Sequence, residues 1–166
     1  MKKIIVLMLA LLPMGLMAQD LKIAIVNVGK IHEIMPEVKQ FMADMEATQK
    51  ELENELSKLK NEYEVKVADL TAKGDSLSDN IKQWRTAEIV GLQQQIETLY
   101  NSAPKILEEK EQELIAPIQE KVNKAIQEVG EENGYTYILR PEALLFTSPA
   151  AIDATDKVIE KLGLKK

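Results

Sequence analysis

Residues 36–73 read PEVKQFMADMEATQKELENELSKLKNEYEVKVADLTAK, and this stretch decides the fold. Pro36 suits a first helical turn. From there apolar residues recur in steps of three and four through Val38, Met42, Met45, Leu52, Leu56, Leu59 and Tyr63, with Gln49 in the one polar slot. That spacing is an α-helix with one apolar stripe. The step from Tyr63 to Val67 is four where a strict heptad wants three, which relaxes any supercoil locally. Gly74-Asp75 is a turn signal, and Ser76 or Ser78 can cap a returning helix, Ser76 with Asp79 making a capping box. The returning face runs through Leu77, Ile81, Trp84, Ile89, Leu92, Ile96 and Leu99, and resumes after Pro104 through Leu107, Leu114, Ile118, Val122, Ile126 and Val129. Pro104 is expected to open a new helical segment, and Pro117 to kink the helix near Leu114. Residues 36–132 therefore form a long helical hairpin with its tip near 74–79. Its 38-residue outgoing arm reaches roughly 57 Å at about 1.5 Å per residue.

Outward from the hairpin the texture changes. Leu21 to Val28, LKIAIVNV, is β-branched and bounded by Asp20 and Gly29, the pattern of a largely buried strand. Tyr135–Leu139 and Ala143–Phe146 are two further strand candidates, separated by a turn at Arg140-Pro141-Glu142. Asp153-Ala154-Thr155-Asp156 has the form of a capping box. The helix it opens carries Val158, Ile159 and Leu162 and stops at Gly163. Residues 19–35 and 133–166 thus make a small α+β body. Three short strands and two long helices bury little by themselves, so assembly between copies is the physical way out.

Residues 1–18, MKKIIVLMLALLPMGLMA, have the form of a cleavable export signal: Lys2 and Lys3, an apolar run from Ile4 to Leu12, Pro13 and Gly15, then Ala18. The apolar run is about half of what a bilayer crossing needs. The expectation is an exported, soluble protein without stable membrane insertion. The 166 residues include no cysteine, which removes disulfides, thiol nucleophiles and Cys-ligated metals. The formal charge is −6, which argues against nucleic acid. The hairpin holds 12 basic and 21 acidic residues, so the negative charge sits on the arms.

Chemistry-bearing motifs are missing. There is no glycine-rich phosphate loop, no H-E-x-x-H and no G-x-S-x-G. His32, the single histidine, is placed on a short connection after the first strand and has no second histidine with which to share a metal. Glu108, Glu109, Glu111 and Glu113 are spread around a helix and do not converge on one ion. Tyr135 and Tyr137 point the same way along a strand and read as core or subunit-interface packing. No enzyme and no cofactor or metal is expected.

The ordered segments resemble the Skp/OmpH family of periplasmic chaperones. The resemblance rests on Ile23-Ala24-Ile25-Val26-Asn27-Val28 followed by Lys30-Ile31, on Met35-Pro36-Glu37, and on the Leu77-Ser78-Asp79 tip. It continues through Leu114-Ile115-Ala116-Pro117-Ile118, Lys121–Val129, Glu132-Asn133-Gly134-Tyr135, Ala143–Phe146 and Asp153–Ile159. It implies a jellyfish-like homotrimer, in which three α+β bodies form a β-structured hub and the hairpins hang as coiled-coil tentacles around a cavity. It further implies an ATP-independent holdase, in the periplasm, for unfolded outer-membrane β-barrel proteins. On that reading Ile23, Ile25, Val26, Val28, Tyr135, Tyr137, Leu144 and Phe146 are candidates for the trimer body. Phe41, Met42, Met45, Tyr63, Leu77 and Trp84 are candidates for client contact, with Met42, Met45 and Tyr63 also explained as packing in the hairpin seam.

One feature departs from the family pattern. Better-known members carry basic tentacles, whereas these arms are acidic, so lipopolysaccharide binding is not carried over. Capture here is expected to lean on apolar contact or on clients with more basic segments. The rival expectation is a coiled-coil spacer of the cell envelope, or an adaptor of the outer-membrane assembly machinery.

Overall fold

The computed structural model describes residues 21–165, so the expected export signal lies outside the described residues. In chain order the elements are β1 (Ile23–Ile25), α1 (Val28–Ile34), α2 (Pro36–Lys73), a 3-10 turn (Gly74–Ser76), α3 (Asp79–Asn133), β2 (Tyr137–Leu139), a second 3-10 turn (Pro141–Ala143), β3 (Ile152–Asp153) and α4 (Thr155–Lys161). The class is α+β, as expected, with a long helical hairpin and a small sheet.

The sheet has the order β2-β1-β3 and both pairings are parallel. Parallel neighbours require a crossover connection. Between β1 and β2 the whole hairpin serves as that crossover. The last turns of α3 pack on the body through Ile118, Val122, Ala125 and Val129, joining Ala24, Val26, Ile31, Met35, Ala154, Val158 and Ile159 in one core. The body thus recruits the base of the return helix, and the arm proper begins above Ile118. Gly130 matters to this packing, because a Cβ there would stand 3.3 Å from Ile138 Cδ1 on β2.

Several local expectations are corrected. The strand read over 21–28 ends at Ile25, because Asn27 turns to cap α1: its side chain accepts from the Lys30 N–H at 3.0 Å. Val28 therefore opens a helix, and His32 lies on that helix. Ala143–Phe146 is not a strand. Pro141 sets a 3-10 turn, and the third strand comes at Ile152–Asp153, on the far side of β1. The cap of α4 is shifted by one residue: Ala154 holds the cap position while Asp153 accepts from the Thr155 N–H at 2.8 Å. Of the two cap candidates at the arm tip, Ser78 precedes the return helix, whereas the Ser76 hydroxyl donates back to the Lys73 carbonyl at 2.8 Å.

Pro104 opens no new segment, since α3 runs unbroken through both Pro104 and Pro117. A proline inside a helix forfeits one ladder bond and crowds one turn. Apolar side chains on either side, at Leu99 and Leu107, keep this one attached to the other arm. The helix ends at Gly134, whose φ of 62° is left-handed backbone that glycine adopts without strain.

Candidate functional site

Among the described residues no three potential metal ligands cluster, and the fold leaves two surfaces uncovered. The first is the outer face of the sheet. Side chains alternate along a strand, so Ala24 and Ile138 face the helices while Ile23, Ile25, Tyr137 and Leu139 face away. Ala24 is fully buried, whereas Ile23 and Tyr137 are 41% and 56% exposed. The connection from β2 to β3 has to pass from one side of β1 to the other, and it carries Leu145 and Phe146 exposed. Among the trimer-body candidates, Val26 is spent on the chain's own core, and Val28 and Tyr135 pack half-buried against it. Ile23, Tyr137 and Phe146 are exposed, and Ile25 and Leu144 are half-buried.

The second surface is the hairpin. No residue of α2 is buried, and above the body only Leu92 of α3 is. The half-buried seam runs through Val38, Phe41, Met45, Thr48, Leu52, Leu56, Leu59, Tyr63, Val67 and Leu70. The expected stripe is corrected by one residue in two places. Phe41 takes the position assigned to Met42 and packs against the body core, and Thr48 replaces Gln49, its hydroxyl donating to the Asp44 carbonyl at 2.8 Å. Met42 is left 65% exposed. Met45 and Tyr63 sit in the seam, as their second reading required.

The same slip occurs near the tip. Ile81 and Trp84 were expected in the seam, yet both are exposed, and Lys82, Arg85 and Glu88 are half-buried instead. Two of these, Arg85 and Glu88, join the arms by ion pairs. Lys66 donates to Glu88 at 2.5 Å, and Asp69 is bridged by Arg85 from the opposite helix and by Lys73 from its own. The Lys73 hydrogen bond, and after it that of Arg85, holds the Asp69 carboxyl below its ordinary value. Leu77 is half-buried beside this network.

At the base of the arm Lys121 bridges to Glu37, whose carboxyl is lowered chiefly by that hydrogen bond; the second oxygen, Oε2, is buried without a partner. In the body, Lys161 clamps α4 to α3 through Glu132 at 2.6 Å and Glu128 at 3.1 Å, which raises the Lys161 pKa, Glu132 contributing most.

A two-helix arm thus projects from a small parallel-sheet body and is joined to it through the return helix. The family described as "Outer membrane protein (OmpH-like)" matches residues 22–162, nearly all of the described chain. The chain belongs to the OmpH-like family. Its fold is shared with a crystal structure from Caulobacter crescentus CB15, assigned there as an OmpH-like outer membrane chaperone, with a TM-score of 0.73 and 19% identity. The match covers 84% of this chain and 82% of that one. No curated protein matches.

For this OmpH-like chain the large exposed apolar side chains of the arm include Met42, Ile81 and Trp84, which the sequence reading placed on the apolar stripe, and Val65, Val90, Tyr100 and Ile106, which it missed. The four missed residues lie off the three-four period read from the sequence, so no stripe marked them. Among the described residues there is no group of three His, Asp or Glu placed to hold a metal ion, and no helix is long and apolar enough to cross a membrane.

Proposed function

We propose that this protein is an ATP-independent periplasmic holdase that assembles as a homotrimer through its body and holds unfolded outer-membrane β-barrel proteins between its arms. The observation that carries this reading is the arm itself, a projecting 38-residue helix with no buried residue, paired to a return helix and studded with exposed Met42, Trp84 and Tyr100. A barrel precursor carries alternating apolar side chains and unpaired backbone that find their partners only when the barrel closes in lipid. A helix offers such a chain weak apolar contacts without offering a strand edge, since its own backbone bonds are internal. Arms attached only at the base can splay to suit clients of different size.

Trimer assembly is supported by the uncovered sheet face at Ile23 and Tyr137 and by the exposed Leu145 and Phe146. An exposed apolar patch of this kind marks an interaction surface. The body carries near-balanced charge, seven basic and six acidic residues over 19–35 and 133–166, so no repulsion opposes its assembly.

The test is dilution of a denatured outer-membrane barrel protein into buffer containing the purified protein, with aggregation followed by light scattering and the soluble complex weighed in the same sample. The expected result is suppressed scattering and a complex of three chains per client. Client aggregation at the same rate with or without excess protein contradicts the reading, and leaves a coiled-coil spacer or an assembly adaptor in its place.

A further inference from the structure

Halfway along the arm the seam opens into a groove of about 510 Å³. Its floor is apolar, built from Leu52 and Leu56 of α2 with Leu99, Ala103 and Leu107 of α3. The opening has a local cause, because Ala103 and Pro104 put two short side chains where the seam elsewhere carries leucine or isoleucine. Tyr100 stands at the wall with 67% of its surface exposed. An ion pair closes off the neighbouring hollow at the arm base, where Lys121 meets Glu37. No such pair crosses this one.

The rim carries a carboxylate and no cation. Glu53 presents the carboxylate, one N–H of Gln49 Nε2 donates to Glu53 Oε1 at 2.9 Å, and no cationic side chain is among the lining residues. Pro104 has no N–H, so the Tyr100 carbonyl one turn earlier lacks its i+4 donor at the groove wall. The surrounding shaft has the same sign. Residues 36–64 and 88–132 carry 8 basic and 18 acidic residues, while the tip at 65–87 carries four basic and three acidic. A partner that suits this groove brings a large apolar side chain for the floor and positive or N–H donor groups for the rim.

We infer that the mid-arm groove at Pro104 is a client subsite for an unfolded segment in which a Phe- or Leu-sized side chain neighbours Lys or Arg. The inference rests on the holdase reading and specifies which segments the arm takes. It makes the acidic shaft a selector for cationic stretches of unfolded chain.

Two labelled, unfolded 20-residue peptides provide the probe, identical in Phe and Leu content, one carrying lysines and the other glutamates. Fluorescence anisotropy with the purified protein is expected to show the lysine peptide binding about 10-fold tighter at low salt, with the preference shrinking as salt is added. Glu53→Gln, an exposed change that keeps the Gln49 hydrogen bond, narrows the preference about 2- to 5-fold. Ala103→Leu fills the floor and weakens both peptides about 10-fold. Pro104→Ala restores the missing N–H, firming the helix while weakening the lysine peptide. Equal binding of the two peptides overturns the inference. So does an Ala103→Leu protein of unchanged mass that binds as the parent does. If Ala103→Leu alters the mass of the assembly, the groove belongs to a contact between copies and the inference is again overturned. Aggregation assays separate the two levels. If the parent protein fails to suppress aggregation, the holdase reading falls; if it succeeds and the peptides do not discriminate, only the groove assignment falls.

Discussion

The body and the arms are built on opposite principles. In the body, Ala24, Val26, Ile31, Met35, Val129, Ala154 and Val158 are buried to within 2% of complete. The arm projects from that body with half-buried seam residues, one buried leucine and a terminal section held by ion pairs. Burial of apolar area is the main source of stability, so the two regions differ in how firmly they are held. The contrast is one of firmness: a tightly packed body fixes the position of the arms, and under the proposed function a loosely seamed arm yields to its client.

The largest blow to this contrast is Ile31→Ala. A fully buried side chain at the meeting of α1, the sheet and α4 is lost, and global stability falls by about 2–5 kcal/mol, read as a lower midpoint in urea. Thr155→Val tests the same region more finely. Thr155 Oγ1 accepts from the Asn27 N–H at 2.9 Å, and removing that acceptor costs about 1–3 kcal/mol in the same titration. Leu92→Ala shifts the test to the arm. The loss is about 2 kcal/mol, at the low end because neighbouring arm side chains can settle into the space, and it is local: amides of 60–95 exchange faster while those of 118–130 do not change. If the mutation instead loosens the body equally, arm and body fold as one unit and the contrast fails.

Acid gives the smallest effect and the sharpest localisation. Asp69 is held below its ordinary 3.8 in the folded arm, so the folded state binds fewer protons than the unfolded chain in that range. Its contribution is full above about pH 4 and fades as pH falls through the lowered value. Trp84, the single tryptophan, lines the same small cleft as Asp69 and Arg85, so its fluorescence should change in that acid step and do so less in Asp69→Asn. Lys161 has the opposite sign. Its pKa is raised above 10.5 by Glu132 and Glu128, so its clamp on the body is complete below that value and is lost only as pH rises through the raised one. A Trp84 signal that is flat down to pH 2 breaks the link between the ion pairs and the tip.

The hairpin was legible because a three-four repeat over 38 residues allows little else, and its ends were marked by Pro36 and Gly74. The details that failed share one cause. Hydrophobicity locates a stripe, but it cannot say which of two adjacent residues faces the partner helix when both are apolar, as Phe41 and Met42 are. Near the tip the half-buried positions are Lys82, Arg85 and Glu88, of which Arg85 and Glu88 pair their charges across the helices; apolar residues alone point instead to Ile81 and Trp84. The third strand was misplaced for a different reason. Ala143–Phe146 has strand-forming residues, but the pairing of Ile152–Asp153 with Ala24 and Ile25 is a tertiary choice that local preference does not encode.

Hydrogen exchange with mass detection, on the purified protein with and without a denatured barrel client, tests the division of labour most directly. Fast exchange over 60–92 and slow exchange over 118–130 are expected in the free protein. On adding client, new protection should appear along 42–107 while the body is unchanged. Uniform slow exchange in the free protein, or protection gained only at the body, would contradict it.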